Sequence, residues 1–178
     1  MIQIYVADLS AYNAGILHGE WIDATEDPDS IRDAITVMLE ESPIPGAEEY
    51  AIHDTDGFGG VRVGEYDDID DVHEIARTLD DFPAAVVAHI YIDNPDVSTL
   101  YDLCEEMFMG TVTEELDGEQ ALAAFIVEEE PDFFDGLPKH LETHGGAIAR
   151  SEARDRICGG AVHPVYEGAG VWHMVRSV

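Results

Sequence analysis

Basic side chains are what this sequence most conspicuously lacks. Its 178 residues hold one lysine, Lys139, and seven arginines against 39 Asp and Glu, a formal net charge of −31. A protein that grips nucleic acid directly neutralises phosphates with Lys and Arg. Nucleic acid is therefore excluded as a direct partner, and an anionic membrane surface is excluded on the same ground. Cysteine is scarce as well. Cys104 and Cys158 stand far apart with no paired motif, which favours reduced thiols over a disulfide framework. No apolar run reaches the roughly 18 residues of a membrane span. Met1–Asp8 has neither a basic region nor a long apolar stretch, so no secretion signal is expected there. Also missing are G-x-S-x-G, a P-loop and G-x-G-x-x-G, the frames that hold nucleophiles and phosphates. Carboxylate pairs occur throughout and so single out no acid–base site. The expectation is a non-enzyme with no cofactor.

What is present is enough apolar residue to fold. Hydrophobic residues make up 46% of the chain, normal for a globular protein and too many for an acidic disordered one. Ile2–Val6 and Leu17–Asp23 read as strands, linked through the turn-prone Asn13-Ala14-Gly15. Asp27-Pro28 supplies a helix cap and first position, and Ile31, Ile35, Met38 and Leu39 follow as one apolar stripe. Pro43–Gly46 stops that helix, and Glu49–His53 reads as a third strand. Further on, Ile69, Val72, Ile75, Ala76 and Leu79 share a helical face. Phe82–Ile92 and Val97–Phe108 are expected to be helical too. Thr111–Thr113 reads as a short strand and Asp117–Glu130 as a helix with Ala121, Leu122, Phe125 and Ile126 inward. A helix around Ile148–Ile157 precedes two strands, Ala161–Tyr166 and Val171–Val175, joined through Gly168-Ala169-Gly170. The fold class expected is α+β, an elongated chain of small units. Residues 1–61 form a three-stranded sheet plus helix, residues 62–107 a helical unit, and residues 108–178 a second small α+β unit.

The charge is distributed unevenly. Residues 1–138 hold 35 acidic and three basic residues, whereas residues 139–178 hold four and five. Ordinary solubility needs a net charge of only about 2–8. A compact chain of 19.5 kDa exposes on the order of 8,500 Å², so 35 evenly spread carboxylates occupy about 240 Å² each. Phosphates on B-DNA, one per about 1.7 Å of axis, occupy about 110 Å² each. Crowding the carboxylates onto half the surface would reach the DNA value. The residues expected to form such an array are Asp67, Asp68, Asp70, Asp71, Glu74, Asp80, Asp81, Glu105, Glu106, Glu114, Glu115, Glu119, Glu128, Glu129 and Glu130. Three adjacent Glu at a helix C-terminus oppose the macrodipole, so stability is not their purpose. The partner this charge fits is a basic groove. If two such anionic chains meet, they repel one another least at their near-neutral tails, so contact between copies would fall in residues 108–178, and above all in 139–178.

Other readings compete. Salt adaptation also produces acidic, Lys-poor chains, though it should acidify the tail equally. Asp54-Thr-Asp56-Gly-Phe58-Gly59, with Glu65 at the twelfth position, partly matches a calcium loop, with Phe58 where a ligand belongs. An acidic calcium-binding module centred on Asp54, Asp56 and Glu65 is therefore the alternative metal reading; otherwise no metal is expected. His140 and His144, with Cys158, His163 and His173 downstream, make a weaker zinc pattern without Cys-x-x-Cys or His-Glu-x-x-His.

Two blocks point further. Ile4-Tyr5-Val6-Ala7-Asp8-Leu9-Ser10-Ala11-Tyr12-Asn13 with Gly15–Asp23, and Glu48-Glu49-Tyr50-Ala51-Ile52-His53-Asp54 with Gly57-Phe58 and Glu65-Tyr66, resemble the ArdA family of antirestriction proteins. Ile148-Ala149-Arg150 through Ala153-Arg154-Asp155 is similar to that family's C-terminal helix. The resemblance implies a protein of mobile genetic elements, acting in the bacterial cytoplasm as a mimic of bent B-form DNA. It implies a partner in the DNA-binding groove of Type I restriction-modification enzymes, elongated homodimers of three small domains per chain, and no catalytic residue.

Overall fold

The computed structural model describes residues 1–114, 116–135 and 144–177. Among them the chain is mixed α+β, with two three-stranded antiparallel sheets and seven α-helices. It divides into two compact units, Met1–Asp102 and Leu103–Val178.

The first sheet has the order β2-β1-β3, with β1 (Gln3–Asp8) between β2 (Gly19–Asp23) and β3 (Tyr50–Asp56). The period of two along β1 buries Ile4 and Val6 completely and leaves Gln3 and Tyr5 half-buried on the other face. Helix α2 (Pro28–Glu40) covers the inner face with Ile31, Ile35 and Met38, each worth about 1.5–3 kcal/mol when fully buried. Its start is the one expected. The Asp27 carboxylate accepts from the amides of Asp29 and Ser30, and Pro28 takes the first position. Helix α3 (Ile69–Asp81) packs beside α2 and buries Ile69, Val72, Ile75 and Ala76. Helices α4 (Ala84–Asp93) and α5 (Val97–Met107) follow.

The second sheet has the order β4-β6-β5, from β4 (Phe108–Thr113), β6 (Val171–Arg176) and β5 (Val162–Gly168). Helices α6 (Gly118–Glu129) and α7 (Gly145–Cys158) pack on each other and on this sheet. Val112, Leu122, Phe125, Ile126, Ala149, Ala153, Val162 and Met174 form their shared core. Asp117 and Gln120 close a capping box at the start of α6. A 3₁₀ turn, Pro131–Phe134, follows it.

Several boundaries differ from the expected ones. A short helix α1 (Leu9–Asn13) follows β1 directly because Asp8 caps it. Leu17 is 86% exposed and β2 starts only at Gly19. β3 continues past His53 to Asp56 because Gln3 and Tyr5 pair with Asp56 and Asp54. Helix α5 stops at Met107, since Phe108 already pairs with Val175 of β6. Helix α7 begins at Gly145, ahead of the expected start near Ile148.

Candidate anionic interface

Nearly every carboxylate of the first unit faces solvent. Of the 24 in residues 1–102, all but Asp8, Asp23 and Glu74 are exposed. The cause is local: α2 and α3 each direct one apolar stripe at the core, so the remaining positions, filled with Asp and Glu, point outward.

The segment ending in α3 carries the densest row. Asp67 to Asp81 spans about 21 Å at 1.5 Å per helical residue. Its seven carboxylates thus average about one per 3 Å of axis, near the density of one phosphate per 3.4 Å along a DNA strand, though five crowd residues 67–74 and two follow at 80–81. Four of them sit at the helix start, where the macrodipole and free amides favour negative charge. Asp67 accepts from the Gly64 amide at 2.6 Å, and Asp68 caps the helix by accepting from the Asp70 amide at 2.8 Å. Asp70 takes the Arg32 guanidinium of α2 at 2.7 Å, with Asp68 at 3.7 Å and Asp29 at 3.4 Å from the same side chain. The hydrogen bond from Arg32 holds the Asp70 carboxyl below the usual carboxylate range. Asp71 is exposed in the first turn. Glu74 is clamped by Arg77, whose guanidinium also lies 3.9 Å from the Tyr101 ring centroid. At the far end Asp80 and Asp81 are exposed, and Asp81 accepts from the Tyr101 hydroxyl at 3.0 Å.

The remaining expected residues separate into two kinds. Glu105 and Glu106 are exposed on α5, Glu114 is exposed after β4, and Glu128 and Glu129 are exposed at the end of α6. Glu119 and Glu130 are instead engaged by arginines of α7. Arg154 donates to Glu119 at 3.0 and 2.8 Å, and Arg156 donates to Glu130 at 2.7 and 2.9 Å. Arg156 also donates to Glu152 at 2.8 Å. These bonds depress the Glu119 carboxyl and raise both guanidinium groups above their ordinary values. Glu130 thus has a structural partner at the helix end. Glu115 lies outside the described residues.

The metal candidates are not assembled. Asp54 and Asp56 lie in β3, paired to β1, and Glu65 approaches His53 on the neighbouring position instead. Among the described residues no group of three His, Cys, Asp or Glu side chains is placed to hold a metal. Of the histidine pattern, His140 lies outside the described residues, while buried His173 bonds Thr111 and Glu167. Cys104 and Cys158 are both free. Among the described residues no helix is long and apolar enough to cross a membrane.

The arginine clamps are the part of this surface that residue spacing alone does not disclose. Glu74–Arg77 and Glu152–Arg156 sit at helical spacings of three and four and could have been found that way. Arg32–Asp70, Arg154–Glu119 and Arg156–Glu130 join positions 38, 35 and 26 residues apart and leave no local signal. Compared with known families, residues 4–168 match the model described as Antirestriction protein (ArdA). No curated protein matches the chain.

Proposed function

Because the chain belongs to the ArdA family of antirestriction proteins, we propose that it inhibits Type I restriction-modification enzymes by occupying their DNA-binding groove as a DNA mimic. The observation that carries this reading is the cluster at α3, whose carboxylates match on average the axial density of phosphates along a DNA strand. Carboxylates of Asp67, Asp68, Asp70, Asp71, Glu74, Asp80 and Asp81, together with Glu105, Glu106, Glu114, Glu115, Glu119 and Glu128–Glu130, take the place of phosphates. Each Lys or Arg of the enzyme exchanges a phosphate for a carboxylate. Affinity is then a sum of weak contacts plus long-range steering, so association is fast and sensitive to salt. The protein has no catalytic role and acts in the bacterial cytoplasm as a homodimer joined through the near-neutral tail.

The test mixes the purified protein with a Type I restriction enzyme and its DNA, following both DNA binding and cleavage. Displacement of DNA with loss of cleavage is expected. Glu128→Ala alone should change potency less than about twofold, whereas combined Asp67→Asn, Asp71→Asn, Asp80→Asn and Asp81→Asn should lower it at least tenfold. Abolition of inhibition by one such single change would refute distributed mimicry, as would inhibition with the DNA still bound.

A further inference from the structure

The face of the first sheet turned away from α2 is built differently from the acidic helices. Direct cross-strand partners place their side chains on one face. The register therefore sets Trp21, Tyr5 and Asp54 in one row across the three strands and Asp23, Gln3 and Asp56 in the next. The Tyr5 and Trp21 rings lie 5.5 Å apart, tilted at 53°. Gly19 makes room for Tyr5, since a Cβ there would stand 2.8 Å from its hydroxyl and 2.4 Å from the Val6 carbonyl. Beside the rings opens a cleft of about 400 Å³ lined by Gln3, Trp21, Asp54, Thr55 and Asp56. Trp21 is 43% exposed at its wall, and both aspartates are exposed.

We propose that this cleft seats an arginine side chain of a basic protein partner, with the guanidinium stacked on Trp21 and held by Asp54 and Asp56. The chemistry favours arginine. A planar cation gains from an aromatic face and bonds carboxylates as a fork, whereas an ammonium is a compact, strongly hydrated point charge. The net charge of −31 repels anions. Two tilted rings form an open corner rather than the closed cage a quaternary ammonium needs. As regards the identity of the partner, the proposal rests on the DNA-groove reading above. It adds a position where recognition is specific for the side chain instead of being a sum of interchangeable charges.

The full chain carrying Trp172→Phe leaves Trp21 as the only tryptophan. Titration with a short arginine-rich peptide should shift Trp21 emission saturably and at least fivefold more tightly than a lysine-rich peptide of equal charge. Asp54→Asn with Asp56→Asn should remove that preference. In the restriction assay the same double substitution should lower potency five- to tenfold. Glu40→Gln with Glu41→Gln, which deletes equal charge elsewhere, should cost less than half as much. Circular dichroism confirms that both variants are folded. Equal response to the two peptides, or equal loss from the two double substitutions, would overturn the cleft while leaving DNA mimicry standing. If the unsubstituted protein does not inhibit at all, the groove reading fails, and the peptide preference alone decides the cleft.

Discussion

Asp8 is the fully buried carboxylate of the first unit, and replacing it with alanine tests what holds that unit together. Its side chain accepts from the amides of Ser10 and Ala11 at 2.8 and 3.2 Å, capping α1. Its second oxygen takes the hydroxyl of Ser42, which in turn accepts from the Ile44 amide at 3.0 Å. One side chain thus joins the end of β1, the start of α1 and the segment after α2. Loss of a cap costs about 0.5–2 kcal/mol, and a buried donor left without a partner about 1–3 kcal/mol. Asp8→Ala should therefore destabilise the protein by about 2–4 kcal/mol and, for a chain of this size, lower Tm by roughly 4–16 °C. Asp8→Asn keeps an acceptor for the two amides, and the Ser42 hydroxyl can turn to accept from the new amide; about 1 kcal/mol is expected.

The pH dependence fixes the sign. Burial opposes ionisation of Asp8, but the bonds from Ser42, Ala11 and Ser10 and the nearby His18 outweigh it, leaving the carboxyl below its ordinary value. A depressed carboxyl contributes stability that is complete above the unfolded pKa of about 3.9 and disappears as pH falls through the folded value. Urea unfolding followed by circular dichroism should show the advantage of the parent chain over Asp8→Asn constant from pH 7 to about 5 and shrinking below about 4. An Asp8→Ala cost under about 1 kcal/mol would refute the accounting, as would an advantage that grows with acid.

Arg156 bridges Glu130 and Glu152 while only 21% of its side chain is exposed. Arg156→Ala should cost the second unit about 1–2 kcal/mol after discounting for solvent screening, read as a lower urea midpoint, and Arg156→Lys should recover only part of it because the fork is lost. Burial pushes the Cys104 thiol up to about 12, whereas Cys158 is exposed. A thiol reagent at pH 8 should modify one cysteine in the native protein and both in denaturant, with mass spectrometry locating the first at Cys158. Raising salt from 0.01 to 1 M shortens the Debye length from about 30 to about 3 Å. Self-repulsion weakens, so the urea midpoint should rise while inhibitory potency falls; potency that holds or rises with salt would contradict an electrostatic mimic.

Helices were the most legible part of this fold. Asp27-Pro28 and the stripe Ile31, Ile35, Met38 carry start, period and buried face in one short segment, and the structure places all of them as expected. Ile69, Val72, Ile75 and Ala76 do the same for α3. Strand edges were less legible because pairing decides them. Asp54 and Asp56 look like turn residues until Tyr5 and Gln3 are seen opposite them. Helix α1 was hidden for a related reason. Leu9–Asn13 has no stripe of its own, and its capping residue is also the last residue of β1. In the candidate site, the number of carboxylates could be counted from the residues but not their pairing, which depends on α7 lying against α6 and α2 against α3.

That pairing changes how the charge should be understood. A chain with eight basic residues and 39 acidic ones cannot neutralise its surface, and it does not spread its cations thinly. Arg32, Arg77, Arg154 and Arg156 each hold at least one carboxylate within 3 Å. Arg32 joins α2 to α3, and Arg154 and Arg156 join α7 to residues at either end of α6. The Arg32 tie lets acidic α2 and α3 pack despite like charge, whereas near-neutral α7 lends its arginines to acidic α6. The cost is that Asp70, Glu74, Glu119 and Glu130 present less negative charge outward than their neighbours do. Two populations of carboxylate follow from this. Asp71, Asp80, Glu105, Glu106, Glu114, Glu128 and Glu129 are exposed and can meet an external cation at little cost to the fold. The clamped four can do so only by giving up a tie. The sensitivity of inhibition to charge removal should therefore follow the exposed set, and the sensitivity of folding the clamped one. A count of acidic residues alone would assign both to the same positions.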